Sequence, residues 1–150
     1  MKNSTKLLLL ALRIAIGWHF LVEGVTKLMQ PGWSAEAYLQ GSYGFLSGFY
    51  QWMAADPALL QVIDFLNIWG MILIGSGLFL GLFIRVSAWG GILLLALYYL
   101  AYPPFGSAYA GSGPDGHFWI VNRNLLEMFM LLLIIRFPQS EYSLERLRSY

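Results

Sequence analysis

The chain has 150 residues, room for one domain over 1–150, and is 58% hydrophobic, 17% aromatic and only 11% charged. Soluble domains carry about 25% charged residues, so a water-facing globule is excluded and lipid is the solvent for most of the surface. A net charge of +1 argues against a nucleic-acid partner, and the absence of cysteine removes disulfides, thiolate metal sites and thiol redox chemistry.

A helix needs about 20 apolar residues to cross the hydrocarbon layer. Four stretches are predicted to do so, at 5–28, 59–83, 86–102 and 118–137. The fold class they imply is all-α, an integral membrane four-helix bundle. The first stretch opens like a signal peptide, with Lys2 and Lys6 before a leucine run. Arg13 interrupts that run and no small-residue cleavage site follows, so it reads as an uncleaved span. Between the first two spans, Trp33-Ser34 followed by Tyr38 reads as a capped helix start with an apolar staple. Beyond it, Phe45, Phe49, Trp52 and Met53 share one helical face, which predicts a short amphipathic helix in the membrane interface. An aromatic loop folded over the bundle fits as well. The second span opens with Asp56-Pro57, a cap followed by proline at the first helical position. The third ends at Pro103-Pro104.

Lys and Arg set the orientation. Lys2, Lys6, Arg85, Arg136, Arg146 and Arg148 fall on one side, while the connections 30–58 and 103–117 contain neither residue type. The positive-inside rule then puts both termini in the cytoplasm and the two long connections outside. The location predicted is the cell inner (plasma) membrane, crossed several times.

Charges inside a bilayer cost roughly 2.5–3.5 kcal/mol each on insertion scales, so each one asks for a partner or a function. The first span carries Arg13, His19, Glu23 and Lys27, the last three spaced four apart on one face. The second carries Asp64 and Asn67, and the fourth Asn122, Arg123, Asn124 and Glu127. With a rise of about 1.5 Å per residue, all but Arg13 fall in the outer half of the bilayer. Gathering them into one polar cluster between the first, second and fourth spans is cheaper than exposing each to lipid. Glu23 and Arg123, opposite in charge and similar in depth, are expected in direct or water-bridged contact. Arg13 stands apart, where its long side chain can snorkel to the cytoplasmic side. Polar residues between membrane helices also serve simply as packing glue, and the glycines among them, Gly17, Gly24 and Gly75 included, suit close helix contact. His19 with His117 would make a bis-histidine haem site.

These residues carry a resemblance. The first span reads Arg13-x3-Gly17-Trp18-His19-Phe20-Leu21-x-Glu23-Gly24-x2-Lys27, then Pro31-x-Trp33-Ser34. The second reads Asp64-x2-Asn67-x-Trp69-Gly70, and the fourth opens Asn122-Arg123-Asn124-Leu125-x-Glu127. The chain resembles the DoxX/DoxD family of small four-helix membrane proteins across nearly its whole length. That family is named for the DoxD subunit of an archaeal thiosulfate:quinone oxidoreductase, which oxidises thiosulfate to tetrathionate and reduces membrane quinone together with a second subunit.

The resemblance implies a membrane subunit of a quinone-linked oxidoreductase, with quinone as the cofactor and a second oxidoreductase subunit, another membrane protein or further copies of the chain as partners. The catalytic candidates are Glu23, Arg123, Glu127 and His19. Lys27, Asp64, Asn67, Trp18, Trp69 and Asn124 are candidates for binding the head group, and no residue set suggests a metal. The sequence offers no electron-carrying centre, so a two-electron transfer would be direct or a partner would hold the cofactor. The rival reading is a non-enzymatic assembly or scaffold subunit that binds a partner or a lipid through the same cluster.

Overall fold

The structure is a computed structural model and describes residues 3–103 and 120–137. Among these residues there are six helices and no strand. They are α1 (Asn3–Met29), α2 (Glu36–Gln40), α3 (Ser47–Ala55), α4 (Pro57–Leu80), α5 (Ile84–Ala101) and α6 (Arg123–Arg136). Three of them, α1, α4 and α5, are long and apolar enough to cross a membrane. Their outward faces carry residues such as Leu73, Val86 and Leu93, exposed and apolar, as contact with a lipid bilayer requires.

The fourth predicted span is corrected at its start. Residues 120–122 are not helical, and α6 begins at Arg123. The cause is local: Asn122 is extended (φ −102°, ψ 176°), and its side-chain oxygen accepts from the Leu125 N–H at 3.0 Å. That cap fixes the helix start. The 14 residues of α6 extend about 21 Å at 1.5 Å per residue, less than a full crossing. Asp56 caps α4 as its sequence predicts, accepting from the Ala58 N–H at 2.9 Å, with Pro57 in the first turn. Gly81 ends α4 in the left-handed region at φ 72°, a conformation that glycine adopts without penalty.

The four longest helices pack in a ring, α1 on α4, α4 on α5, α5 on α6 and α6 on α1. Glycine brings α1 and α4 together. A Cβ at Gly17 would lie 2.6 Å from the Phe79 backbone nitrogen, and one at Gly75 would meet the backbone of Leu21 and Gly17. Inside the ring, Phe20, Met71, Leu78, Leu95, Leu131 and Ile134 form the apolar core.

Arg13 is the clearest departure at the residue level. It is 2% exposed rather than snorkelling. Arg13, Ile16, Gly17, Phe20 and Gly24 are the buried residues of α1, and their spacing of three and four puts Arg13 at the head of the inward stripe.

The short helices α2 and α3 close one end of the ring. Ala35, Leu39, Tyr50, Ala54 and Ala101 form a second apolar cluster there, with Trp33, Tyr38 and Tyr102 against it. Tyr50 donates to the Leu97 carbonyl at 2.8 Å and Tyr102 to the Tyr38 carbonyl at 2.7 Å. The amphipathic segment therefore is helical and also covers the bundle end. Phe45, Phe49 and Trp52 face outward, with the Phe49 and Trp52 rings stacked at 6.1 Å. Met53 departs from the predicted face and packs inward.

Candidate functional site

Beneath α2 lies a cavity of about 250 Å³, and seven of the sequence candidates line it. His19, Glu23 and Lys27 come from α1, Asn67 from α4, and Arg123, Asn124 and Glu127 from α6. Spacing of four along α1 stacks its three polar groups on one wall. The start of α6, fixed by the Asn122 cap, sets Arg123 and Glu127 opposite. Trp33 and Tyr38 roof the space, and Phe20, Met71 and Leu95 supply apolar wall.

Two polar groupings share the cavity. In the first, the Lys27 ammonium donates to Asn67 Oδ1 at 3.0 Å, Met71 Sδ at 3.4 Å and the Tyr98 oxygen at 3.4 Å. It also lies 4.8 Å from the Trp33 ring centre and 5.5 Å from that of Tyr98, within reach of a cation–π attraction. Three donors meet three protein acceptors, so Lys27 is held as part of the frame. Asn67 Nδ2 donates onward to the Tyr98 oxygen at 2.6 Å.

In the second grouping, His19 Nε2 lies 3.4 Å from Glu127 Oε1, joining α1 to α6. Arg123 Nε lies 3.7 Å from the same oxygen. Among the described residues Arg123 therefore pairs with Glu127, and no ion pair joins it to Glu23. Glu23 and Arg123 line the same cavity without the expected direct contact. The Arg123 side chain is 56% exposed while that of Glu127 is 14% exposed, which puts the guanidinium at the edge of the cavity and the carboxylate within it.

Three candidates fall elsewhere. Asp64 is not in the cavity wall: its Oδ1 accepts from the Ala35 N–H at 2.8 Å and so anchors the roof from α4. Trp18 is 57% exposed and packs on Phe79, and Trp69 packs on Phe65. Neither indole reaches the cavity. One residue corresponds to about 100° around a helix, so Trp18 is turned off the His19 face. Trp69, two positions past Asn67, lies on the far side of α4. His117 and Trp119 lie outside the described residues, as do the second long connection and the tail after Pro138. No group of three or more acidic or histidine side chains among the described residues is placed to hold a metal.

Tyr98 is the residue that sequence reasoning passes over. It stands at the end of the third span beside Tyr99, with no charge to single it out. The signal is the inward stripe of α5, since Ile84, Ala88, Gly91 and Leu95 are buried and the same alternation of four and three continues to Tyr98.

The sequence pattern of the DoxX family matches residues 8–102, from the first turns of α1 to the end of α5. The chain belongs to the DoxX family. The match includes every cavity residue on α1, α2, α4 and α5 and leaves out Arg123, Asn124 and Glu127 on α6. No curated protein and no solved structure matches this DoxX chain.

Proposed function

We propose that this DoxX chain is a four-helix subunit of a quinone-linked oxidoreductase in the plasma membrane, similar to the DoxD subunit of thiosulfate:quinone oxidoreductase. Both ends would lie in the cytoplasm, and the cavity beneath α2 would take the quinone head group in the outer half of the bilayer. The observation that carries this reading is one apolar-walled cavity at one end of the ring, with a Lys27–Asn67–Tyr98 frame and a His19–Glu127 pair both in its wall. The size fits. A cavity of about 150 Å³ holds a benzene ring, so about 250 Å³ holds one substituted ring.

A bound quinone supplies a sink for two electrons and two protons. The chain's part is to orient the head group and hold a proton. His19 Nε2 and the Glu127 carboxylate lie 3.4 Å apart, and imidazole and carboxylate are side chains commonly used to take and give protons. Arg123 at the cavity edge offers a positive charge to an anionic donor such as thiosulfate. Electrons would reach the quinone directly from the donor or through a centre held by a partner subunit.

Extraction of the purified, detergent-solubilised protein tests this reading. Chromatography of the organic extract should recover quinone at close to one per chain, with less from His19→Leu and Glu127→Leu proteins of equal yield. Recovery of a stoichiometric protein partner and no quinone would instead favour the assembly-subunit reading.

A further inference from the structure

The cavity contains a run of hydrogen bonds whose direction is fixed at one end. The Lys27 ammonium has donors and no acceptor. Its contact with Asn67 at 3.0 Å therefore turns the amide oxygen toward Lys27 and the Nδ2 group toward Tyr98, 2.6 Å away. An amide NH2 donates, so the Tyr98 oxygen accepts there, and it accepts again from Lys27 at 3.4 Å. Two donors occupy the acceptor side of the phenol. Its own proton is the polar function left over, and no hydrogen bond among the described residues uses it. Tyr98 lines the cavity beside Met71 and Leu95, and although Glu23 shares that lining, no hydrogen bond among the described residues joins the two. A hydrogen bond made there is strengthened by the low local dielectric and by the cation behind it.

We propose that Tyr98 is a specificity-determining donor, which gives its hydroxyl proton to an acceptor oxygen of the ligand and makes the site prefer a quinone carbonyl to a quinol hydroxyl. This inference rests on the quinone reading above. A carbonyl oxygen brings lone pairs and no hydrogen. A quinol hydroxyl oxygen is the weaker acceptor, and its own proton finds no free acceptor on Tyr98. The Lys27 charge, relayed through Asn67, holds the phenol in this donor-only state, so the three residues act together as one filter for the oxidised head group.

The test uses the full chain in lipid nanodiscs, with decylubiquinone and its quinol as probes. Binding is read by titration, and the carbonyl stretch of the bound quinone by infrared difference spectroscopy. Tyr98→Phe should weaken quinone binding about tenfold, the worth of one hydrogen bond to a carbonyl, and weaken quinol binding less. The bound carbonyl band should move to higher frequency. Replacing Tyr98 by 3,5-difluorotyrosine keeps the ring and strengthens the donor, so the band should move to lower frequency. This replacement decides the matter if the phenylalanine variant fails to fold. An unmoved carbonyl band, an equal loss of quinone and quinol affinity, or a shift to higher frequency on fluorination overturns the role of Tyr98 while the quinone reading stands. No saturable quinone binding by the unsubstituted protein overturns both.

Discussion

Lys27 is held by neutral partners inside a protein whose outer surface is largely apolar. Hydrogen bonds to charged groups are worth about 1.5–3 kcal/mol, and the rings of Trp33 and Tyr98 add a cation–π term of about 0.5–2 kcal/mol. Asn67 is the hinge of this arrangement because it serves Lys27 with its oxygen and Tyr98 with its nitrogen. Asn67→Leu leaves a partly buried cation short of its closest acceptor and should destabilise by about 2–3 kcal/mol. Lys27→Met removes the charge itself and should cost less, and the double variant should be more stable than Asn67→Leu alone. Thermal unfolding in one detergent checks the order. A double variant no better than the sum of the two singles would mean that Lys27 and Asn67 are independent. Asp64 makes a comparable single contact, accepting from the Ala35 N–H at 2.8 Å. Asp64→Ala should cost about 1–3 kcal/mol and open the roof to protease, whereas Asp64→Asn keeps an acceptor and should cost little. Equal protease resistance in the two variants would contradict the anchoring role.

The elements divide into those that sequence pattern identifies and those that need rotation. Hydrophobic length marks α1, α4 and α5, and Asp56-Pro57 marks the start of α4 because capping is local chemistry. The Asn122 cap is equally local, yet the apolar run before it, Phe118 to Val121, masks the true start of α6. Rotation about the helix axis is what the sequence left open. It decides that Trp18 and Trp69 face away from the cavity, that Arg13 faces in, and that Arg123 meets Glu127 rather than Glu23. The glycines do report rotation. Gly17 and Gly75 mark the faces on which α1 and α4 touch, so Gly75→Ala should force the helices apart and lose more than about 3 kcal/mol, among the larger effects of a single substitution. Gly70, with nothing within 4 Å of an added Cβ, should accept alanine freely, and the pair of variants measured together separates packing from helix propensity.

The cap formed by α2 and α3 has its own signature in pH. Burial pushes the Tyr50 hydroxyl above the usual phenol range, and burial together with the neighbouring Tyr43 does the same for Tyr102. Both hydroxyls donate to main-chain carbonyls, so the folded cap favours the protonated form. The stability they contribute is complete below the ordinary phenol value of about 10 and is lost as pH rises beyond it. Limited proteolysis of the segment 30–56 should therefore accelerate at alkaline pH, and Tyr50→Phe with Tyr102→Phe should flatten that dependence. An unchanged pH profile in the double variant would place the alkaline weakness elsewhere.

At the scale of the whole molecule, position along the chain is enough to predict one polar cluster, and seven candidates do share one cavity. Relative height along the bundle could be read because each helix advances by a fixed rise per residue. Partner choice could not, because the cluster forms through contacts among α1, α4, α5 and α6 that no local pattern encodes. The orientation rests on the Lys/Arg asymmetry. A reporter fused after Tyr150 should read cytoplasm and one inserted at Gly111 should read outside, and the reverse pattern would move the cavity to the inner leaflet. The most direct measurement of the central claim is photolabelling with an azido-quinone in native membranes, followed by peptide mapping. Label is expected on the cavity wall, in the peptides that hold Trp33–Tyr38 and Leu95–Tyr98, suppressed by excess unlabelled quinone and lost in Glu127→Leu. Label confined to the outward aromatics Phe45, Phe49 and Trp52, or indifferent to competing quinone, would contradict it.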